Sequence, residues 1–311
     1  MFKSTFKLLL NNFSMVWKIL LYKLIVFICV LGLTTVVSLP IINQLINQDF
    51  FGYVQTNMSN IFLNFNLNNL VDIGVGIVQN FWQIVTDANL IPLCIILGIL
   101  AIVGYYFISG LYRLAVVDDM HEYMSSNLKL GFMNCYISNF GKSIKLQLIK
   151  LPTEFLLDVI FIASAVLIYY GLSKIALAIA PVVTMIYLLI IFTLKITLIA
   201  GIETSLIANN VGFIKAIKNN FKAIKRKFVS IFSNTLMLLT IILFLNMFAL
   251  FFTFGATLIV TLPISSLLLI IFKNVVYYEC TGMRYYNDND TIMMPKKLEE
   301  QDKFSRVKDI I

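Results

Sequence analysis

The sequence predicts an all-α membrane protein in which six helices cross the bilayer. Of the 311 residues, 59% are hydrophobic and only 13% are charged, and the mean hydropathy is +0.89. Soluble domains carry about 25% charged residues, and one soluble core cannot bury this much apolar chain, whereas a bilayer can. Long runs without a charge alternate with short basic segments, which indicates both the number of spans and their direction.

Six apolar stretches reach the length of about 17–25 residues that crosses a bilayer. They occupy residues 17–39, 90–112, 152–172, 175–200, 230–254 and 256–275. Pro40 is predicted to end the first span, and Gly255 indicates a tight turn between the fifth and the sixth. We expect three hairpins in one membrane domain, residues 1–284, followed by a polar tail at 285–311.

The basic residues predict the orientation of the spans. No Lys or Arg occurs between Lys23 and Arg113, so the polar loop 41–89 is predicted to be external and folded in short helices. Of the 24 Lys and Arg residues, only Lys174 is assigned to that side. The positive-inside rule therefore predicts that both termini are cytoplasmic.

The excess of Asn, Ile, Lys and Phe is typical of an AT-rich coding genome, and predicts a bacterial cell membrane as the location.

A basic amphipathic helix is predicted at residues 212–228, directly before the fifth span. At about 100° per residue, its Phe and Ile side chains share one face. The cations on the opposite face are Lys215, Lys218, Lys222, Lys225 and Arg226. A helix of this kind lies in the membrane interface with its cations toward anionic headgroups. Anionic lipids of the cytoplasmic leaflet are therefore its predicted partners.

An amphipathic interfacial helix followed by a pair of spans occurs three times along the chain. Each interfacial helix carries an Asn-Phe pair near its middle, namely Asn12-Phe13, Asn139-Phe140 and Asn220-Phe221. A chance alignment of segments rich in Phe, Asn and Lys is the alternative explanation. Because the register coincides with the pairing of the spans, we interpret the pattern as a threefold repeat.

This layout resembles that of six-helix bacterial membrane proteins of unassigned function, and of the membrane domain fused to some glycerophosphodiester phosphodiesterases. The likeness covers most of the chain as topology, without a diagnostic motif. The catalytic barrel of those phosphodiesterases has no counterpart in this sequence. The resemblance therefore implies a membrane module without a phosphodiesterase active site.

Three ionisable residues are predicted near the inner ends of the third and fourth spans. Asp158 follows Pro152 by six residues and Lys195 precedes Gly201 by six, so a hairpin would bring both side chains to a similar depth. Glu154 lies one helical turn before Asp158 and could share the lysine. Two interpretations stay open, a structural ion pair and a relay for a proton or a substrate.

Candidates for catalysis or metal binding are few. Asp118, His121 and Glu122 share one helical face, which would suit a metal site or an acid–base pair, but the ligand set is incomplete. No hydrolase, phosphate-loop or dinucleotide signature occurs, and no two cysteines have CxxC spacing. We predict no enzyme activity, no metal and no cofactor.

The net charge of +8 is attributed to the cytoplasmic side of a membrane protein, not to nucleic-acid binding.

Two functions are compatible with these observations. The first is a non-catalytic membrane module that interacts with lipids or scaffolds a membrane or envelope complex. The alternative is a transporter or permease subunit for a small solute or lipid, with a separate ATPase. A transporter should arrange Asp158, Lys195, Asn246 and Pro263 around one cavity. A module should leave these four residues dispersed or paired in a closed bundle.

Overall fold

The protein is described here by a computed structural model that covers residues 1–63, 67–176, 178–225, 227–288 and 291–293. Within residues 60–71, only backbone is described. The chain forms two compact units. The first unit comprises Met1–Lys23 and Gly110–Ile311, and the second comprises Leu24–Ser109.

Almost all of the described chain is helical, which confirms the predicted all-α class. The helices are α1 (Phe2–Asn11), α2 (Ser14–Asn47), α3 (Phe50–Leu63), α4 (Leu67–Asp87), α5 (Ile91–Ile99), α6 (Tyr105–Gly110), α7 (Tyr112–Ser126), α8 (Phe132–Ser173), α9 (Ala180–Ile199), α10 (Ile202–Ala208), α11 (Phe213–Lys225), α12 (Phe228–Thr253) and α13 (Leu258–Thr281). A π-helical turn, Leu100–Gly104, joins α5 to α6.

Six helical stretches are long and apolar enough to cross a membrane, in agreement with the predicted number of spans. They are Ser14–Asn47, Ile91–Ser126, Phe132–Ser173, Ala180–Ala208, Phe228–Thr253 and Leu258–Thr281. The predicted turn between the last two is present, with both Phe254 and Gly255 at positive φ. The grouping into three hairpins and the side on which the termini lie stay predictions.

Two segments differ from the sequence-based boundaries. Pro40 does not end the first helix, because α2 continues to Asn47. A proline removes one helical hydrogen bond and crowds one carbonyl, and membrane helices tolerate this loss. The interfacial helix before the third span is not separate either. It is continuous with that span in α8, which contains Pro152.

The second unit contains the whole of the predicted external loop, residues 41–89, and nearly all of its described residues are helical. Helices α3 and α4 pack against each other. A small buried cluster lies beside them, made of Ile41, Leu45, Ile84 and Val85. The ring centroids of Phe50 and Phe81 are 6.0 Å apart at its edge. This unit therefore has an apolar core of its own, as expected of a segment rich in aromatic and aliphatic side chains.

The core of the first unit lies where α7, α10 and the second half of α13 pack together. Each of these segments continues one of the apolar stretches named above. An interfacial helix packs against each of them: α8 on α7, α11 on α10 and α1 on α13. The three predicted repeats thus make equivalent contacts, and the first interfacial helix packs against the last span of the chain.

The Asn-Phe pairs of the three interfacial helices have the same surroundings. The asparagines are buried and the phenylalanines are exposed, in Asn12-Phe13, Asn139-Phe140 and Asn220-Phe221. A buried amide is costly unless it is hydrogen-bonded, and each asparagine has partners. Asn220, for example, donates to the Leu198 carbonyl at 2.6 Å and accepts from the Gly201 N–H at 2.7 Å.

The start of the predicted polar tail has regular structure. Residues Tyr285–Tyr286 (β1) and Ile292–Met293 (β2) pair as antiparallel strands. Tyr285 is buried against Tyr278, and burial raises the pKa of Tyr285. Lys7 forms an ion pair with Asp288. The apolar contact and the ion pair together hold this part of the tail on the first unit.

Candidate functional site

A cluster of charged side chains is buried in the first unit, at the point where α7, α10 and α13 meet. Glu203 is only 4% exposed. Its Oε1 lies 2.5 Å from Lys150 Nζ and 3.3 Å from Arg113 Nε. Lys150 also lies 3.7 Å from Glu154 on the same helix. The low-dielectric interior strengthens these attractions, but each charge that lacks a close partner is costly there.

Lys273 is the cation of this cluster without a close counter-ion. It is 4% exposed, and no described residue forms an ion pair or a hydrogen bond with its ammonium group. It lies within electrostatic range of Glu203, Arg113 and Lys150. The next residue, Asn274, accepts a hydrogen bond from Thr204 at 2.6 Å and donates to the Val117 carbonyl. Lys273 is therefore held in place by the packing of its neighbours.

A separate ion pair lies nearby. Lys195 Nζ is 2.5 Å from Asp158 Oδ1, so the structure brings together the two residues that the sequence suggested as a pair. Glu154, the third residue of that suggestion, lies close to Lys150 and not to Lys195. The reason is geometric: Lys150 precedes Glu154 by one turn of α8, whereas Lys195 projects from another helix.

The described ionisable groups of this region carry an excess of positive charge. Arg113, Lys150, Lys195 and Lys273 are the cations, and Glu154, Asp158 and Glu203 are the carboxylates. A further cation, Lys23, donates to Ser266 at 3.0 Å and lies 5.7 Å from the ring centroid of Tyr112. An unbalanced positive charge in a buried region favours the binding of an anion.

A cavity of about 280 Å³ lies beside the charge cluster, between α8, α9, α10 and α11. Its wall is almost entirely apolar and includes Phe213, Ile217 and Phe221 of α11. The polar residues of the wall are Lys150, Thr153, Glu154, Lys195 and Glu203. Small-molecule pockets span about 300–1,000 Å³ and combine apolar walls with a few polar groups. This cavity has that composition, at the lower end of that size.

One carboxylate oxygen of Glu203 lacks a partner. Glu203 Oε2 is buried and accepts no hydrogen bond from any described residue. Leaving a buried acceptor unsatisfied costs about 1–3 kcal/mol, and more for a charged group. The cavity itself offers charged side chains at one end and an apolar wall over the remainder.

Helix α11, the predicted basic amphipathic helix, has three distinct faces. Ala216, Asn220 and Ile224 are buried where α11 packs against α9, α10 and α13. Ile214 and Phe221 are apolar but 72% and 49% exposed. The exposed lysines are Lys215, Lys218, Lys222 and Lys225. Arg226, the fifth predicted cation, lies outside the described residues.

The remaining sequence candidates are engaged in ordinary contacts. Asp118 accepts a hydrogen bond from Asn139 at 2.7 Å, and His121 Nδ1 lies 2.7 Å from the Tyr278 hydroxyl. Asn246 donates to Ser265 at 3.1 Å. The described part of the chain contains no group of three or more His, Cys, Asp or Glu side chains arranged to hold a metal ion.

The sequence analysis did not identify the charge cluster, although one signal was present. Glu203 is the only acidic residue between Asp158 and Glu279, and the other charged residues of that stretch are all basic.

Comparison with known protein families, curated proteins and solved structures finds no match to this chain. The resemblance noted from the sequence layout is therefore still a prediction.

Proposed function

We propose that this protein is a non-catalytic membrane module that binds anionic lipids and scaffolds a membrane or envelope complex. The observation that carries the proposal is the arrangement of α11. One face packs on the unit through Ala216, Asn220 and Ile224, which fixes the helix axis. The apolar edge then meets the acyl chains, while the lysines meet the headgroups, as in helices that lie in a membrane interface.

The contacts of the polar span residues support a module over a transport subunit. Lys195 lines the cavity and pairs with Asp158. Asn246 donates to Ser265 instead, and Pro263 is buried within α13. Neither Asn246 nor Pro263 is part of the wall of that cavity. A polar pathway shared by all four residues would have favoured transport.

The proposal assigns α11 to the cytoplasmic leaflet of a bacterial cell membrane, with both termini cytoplasmic. Anionic lipids give that surface a negative potential that attracts basic segments. The distribution of Lys and Arg along the chain supports this orientation. A protein partner in the membrane or the envelope would complete the scaffolding role.

The proposal is tested by replacing Lys215, Lys218, Lys222 and Lys225 with glutamine in the full chain, reconstituted in vesicles. The measurement is the relative association constant of spin-labelled phosphatidylglycerol and phosphatidylcholine with the protein, by electron spin resonance. Each lysine near a charged surface contributes about 1 kcal/mol, so the preference for phosphatidylglycerol should fall on the order of tenfold or more.

Two controls separate the lysine charge from other effects. The quadruple lysine-to-arginine variant keeps the charge and should keep the preference. Raising the salt concentration should reduce the preference of the wild type and leave the glutamine variant almost unchanged, because exposed charges are screened. An unchanged preference in the glutamine variant would contradict the proposal.

A further inference from the structure

We propose that the cavity between α8, α9, α10 and α11 binds one anionic phospholipid, with an acyl chain against the apolar wall. This inference rests on the lipid-binding function proposed above and names a specific site for it. It differs from the contact made by the exposed lysines of α11, because the site lies between four helices and two of its charged side chains, Lys150 and Glu203, are buried.

The apolar wall determines which part of the ligand enters the cavity. Phe213, Ile217 and Phe221 form one side of it, and Leu157 and Ile199 belong to the same wall. A volume of about 280 Å³ equals that of roughly nine liquid water molecules. This suits the headgroup phosphate together with a short stretch of one acyl chain, and it is too small for a complete lipid. The rest of the lipid then stays in the bilayer.

The exposure of Phe221 shows where the chain enters. This side chain lines the cavity and is also 49% exposed, so the cavity meets the protein surface at the apolar edge of α11. That edge is the part of α11 that faces acyl chains in the proposed function. A lipid can therefore insert one chain from the bilayer without the headgroup crossing an apolar barrier.

The charges of the polar end favour an anionic headgroup. Lys150 and Lys195 line the cavity together with Glu154 and Glu203. The excess of basic side chains comes from Arg113 and Lys273, which belong to the same charge cluster but do not line the cavity. Because the described cations outnumber the carboxylates, a phosphate group without a compensating ammonium would offset the excess. A zwitterionic phosphatidylcholine headgroup would not.

Glu203 disfavours some anionic headgroups. It lines the cavity, so a headgroup with a carboxylate of its own would place two negative charges together. Phosphatidylglycerol carries one phosphate and no carboxylate, and it is the probe of choice.

The test blocks the cavity with a larger side chain and counts the lipid molecules that stay bound to the protein. The full chain is purified in mild detergent, delipidated, and titrated with phosphatidylglycerol or phosphatidylcholine at high salt, and retained lipid is counted by native mass spectrometry. Wild type should retain one phosphatidylglycerol, with at least tenfold preference over phosphatidylcholine. Ile199→Trp should lose it, whereas Ile190→Trp, at an exposed position of the same helix that does not line the cavity, should retain it.

A second variant that fills the cavity keeps the test valid if Ile199→Trp does not fold. Ile149 lines the cavity but is 43% exposed, so Ile149→Trp disturbs packing less and should also lose the lipid. Retention of one phosphatidylglycerol by either folded filling variant would overturn the cavity assignment. The α11 glutamine variant should keep this lipid at high salt. Failure of the cavity test is therefore distinguishable from failure of the interfacial function, which the vesicle experiment measures separately.

Discussion

Replacement of Glu203 with glutamine tests whether the buried charge cluster depends on this carboxylate. The substitution keeps the size of the side chain and removes the only charge among the described residues that lies within ion-pairing distance of both Arg113 and Lys150. Lys273, which is buried without a close counter-ion among the described residues, loses its strongest electrostatic attraction as well. The folded state is then left with three cations and one neighbouring carboxylate, Glu154.

The size of the effect follows from burial. Removing one partner of a buried ion pair typically costs about 3–5 kcal/mol, because the remaining charge is left uncompensated. Two features lower the value here: Glu154 lies 3.7 Å from Lys150, and the Arg113 side chain is 27% exposed. We therefore expect a loss of about 3 kcal/mol. Domains are stable by about 5–15 kcal/mol, so the protein should remain folded but be clearly destabilised.

The assay is equilibrium unfolding in mild detergent, followed by circular dichroism. Asp87→Asn removes a carboxylate that is exposed and should change the free energy of unfolding by less than about 0.5 kcal/mol. If Glu203→Gln were as stable as Asp87→Asn, the cations would not depend on Glu203, and the explanation of the cluster given above would be wrong.

Two further predictions concern the same unit and use the same unfolding assay. Lys273→Met removes the buried cation that has no close partner, so stability should rise by about 1 kcal/mol or more; a loss of that size would show that the ammonium group is compensated. Gly201→Ala should lower the free energy of unfolding by about 1–3 kcal/mol, because a Cβ there would lie 2.7 Å from Asn220 Oδ1. Gly141→Ala is the control for this variant. A Cβ at Gly141 meets no atom within 4 Å, so that variant should be stabilised by about 0.5–1 kcal/mol.

Much of the fold follows from local sequence properties. Each span is defined by its own hydropathy, and α11 by its own periodicity, so neither needs knowledge of distant residues. The ion pair between Asp158 and Lys195 could also be anticipated, because the two residues lie in consecutive spans at a similar depth. The extent of α2 could not, since the tolerance of Pro40 depends on the surroundings of the helix and not on proline itself.

The charge cluster and the cavity were decided by tertiary structure alone. Arg113, Glu203 and Lys273 lie far apart in the chain and meet only because α7, α10 and α13 pack together. The sequence by itself determined which segments are apolar enough to enter a bilayer and which helix is basic. Which charges share one buried site, and which oxygen of Glu203 lacks a donor, depend on side chains from several helices. The physical reason is that hydropathy is a sum over neighbouring residues, whereas electrostatic energy depends on distances in space.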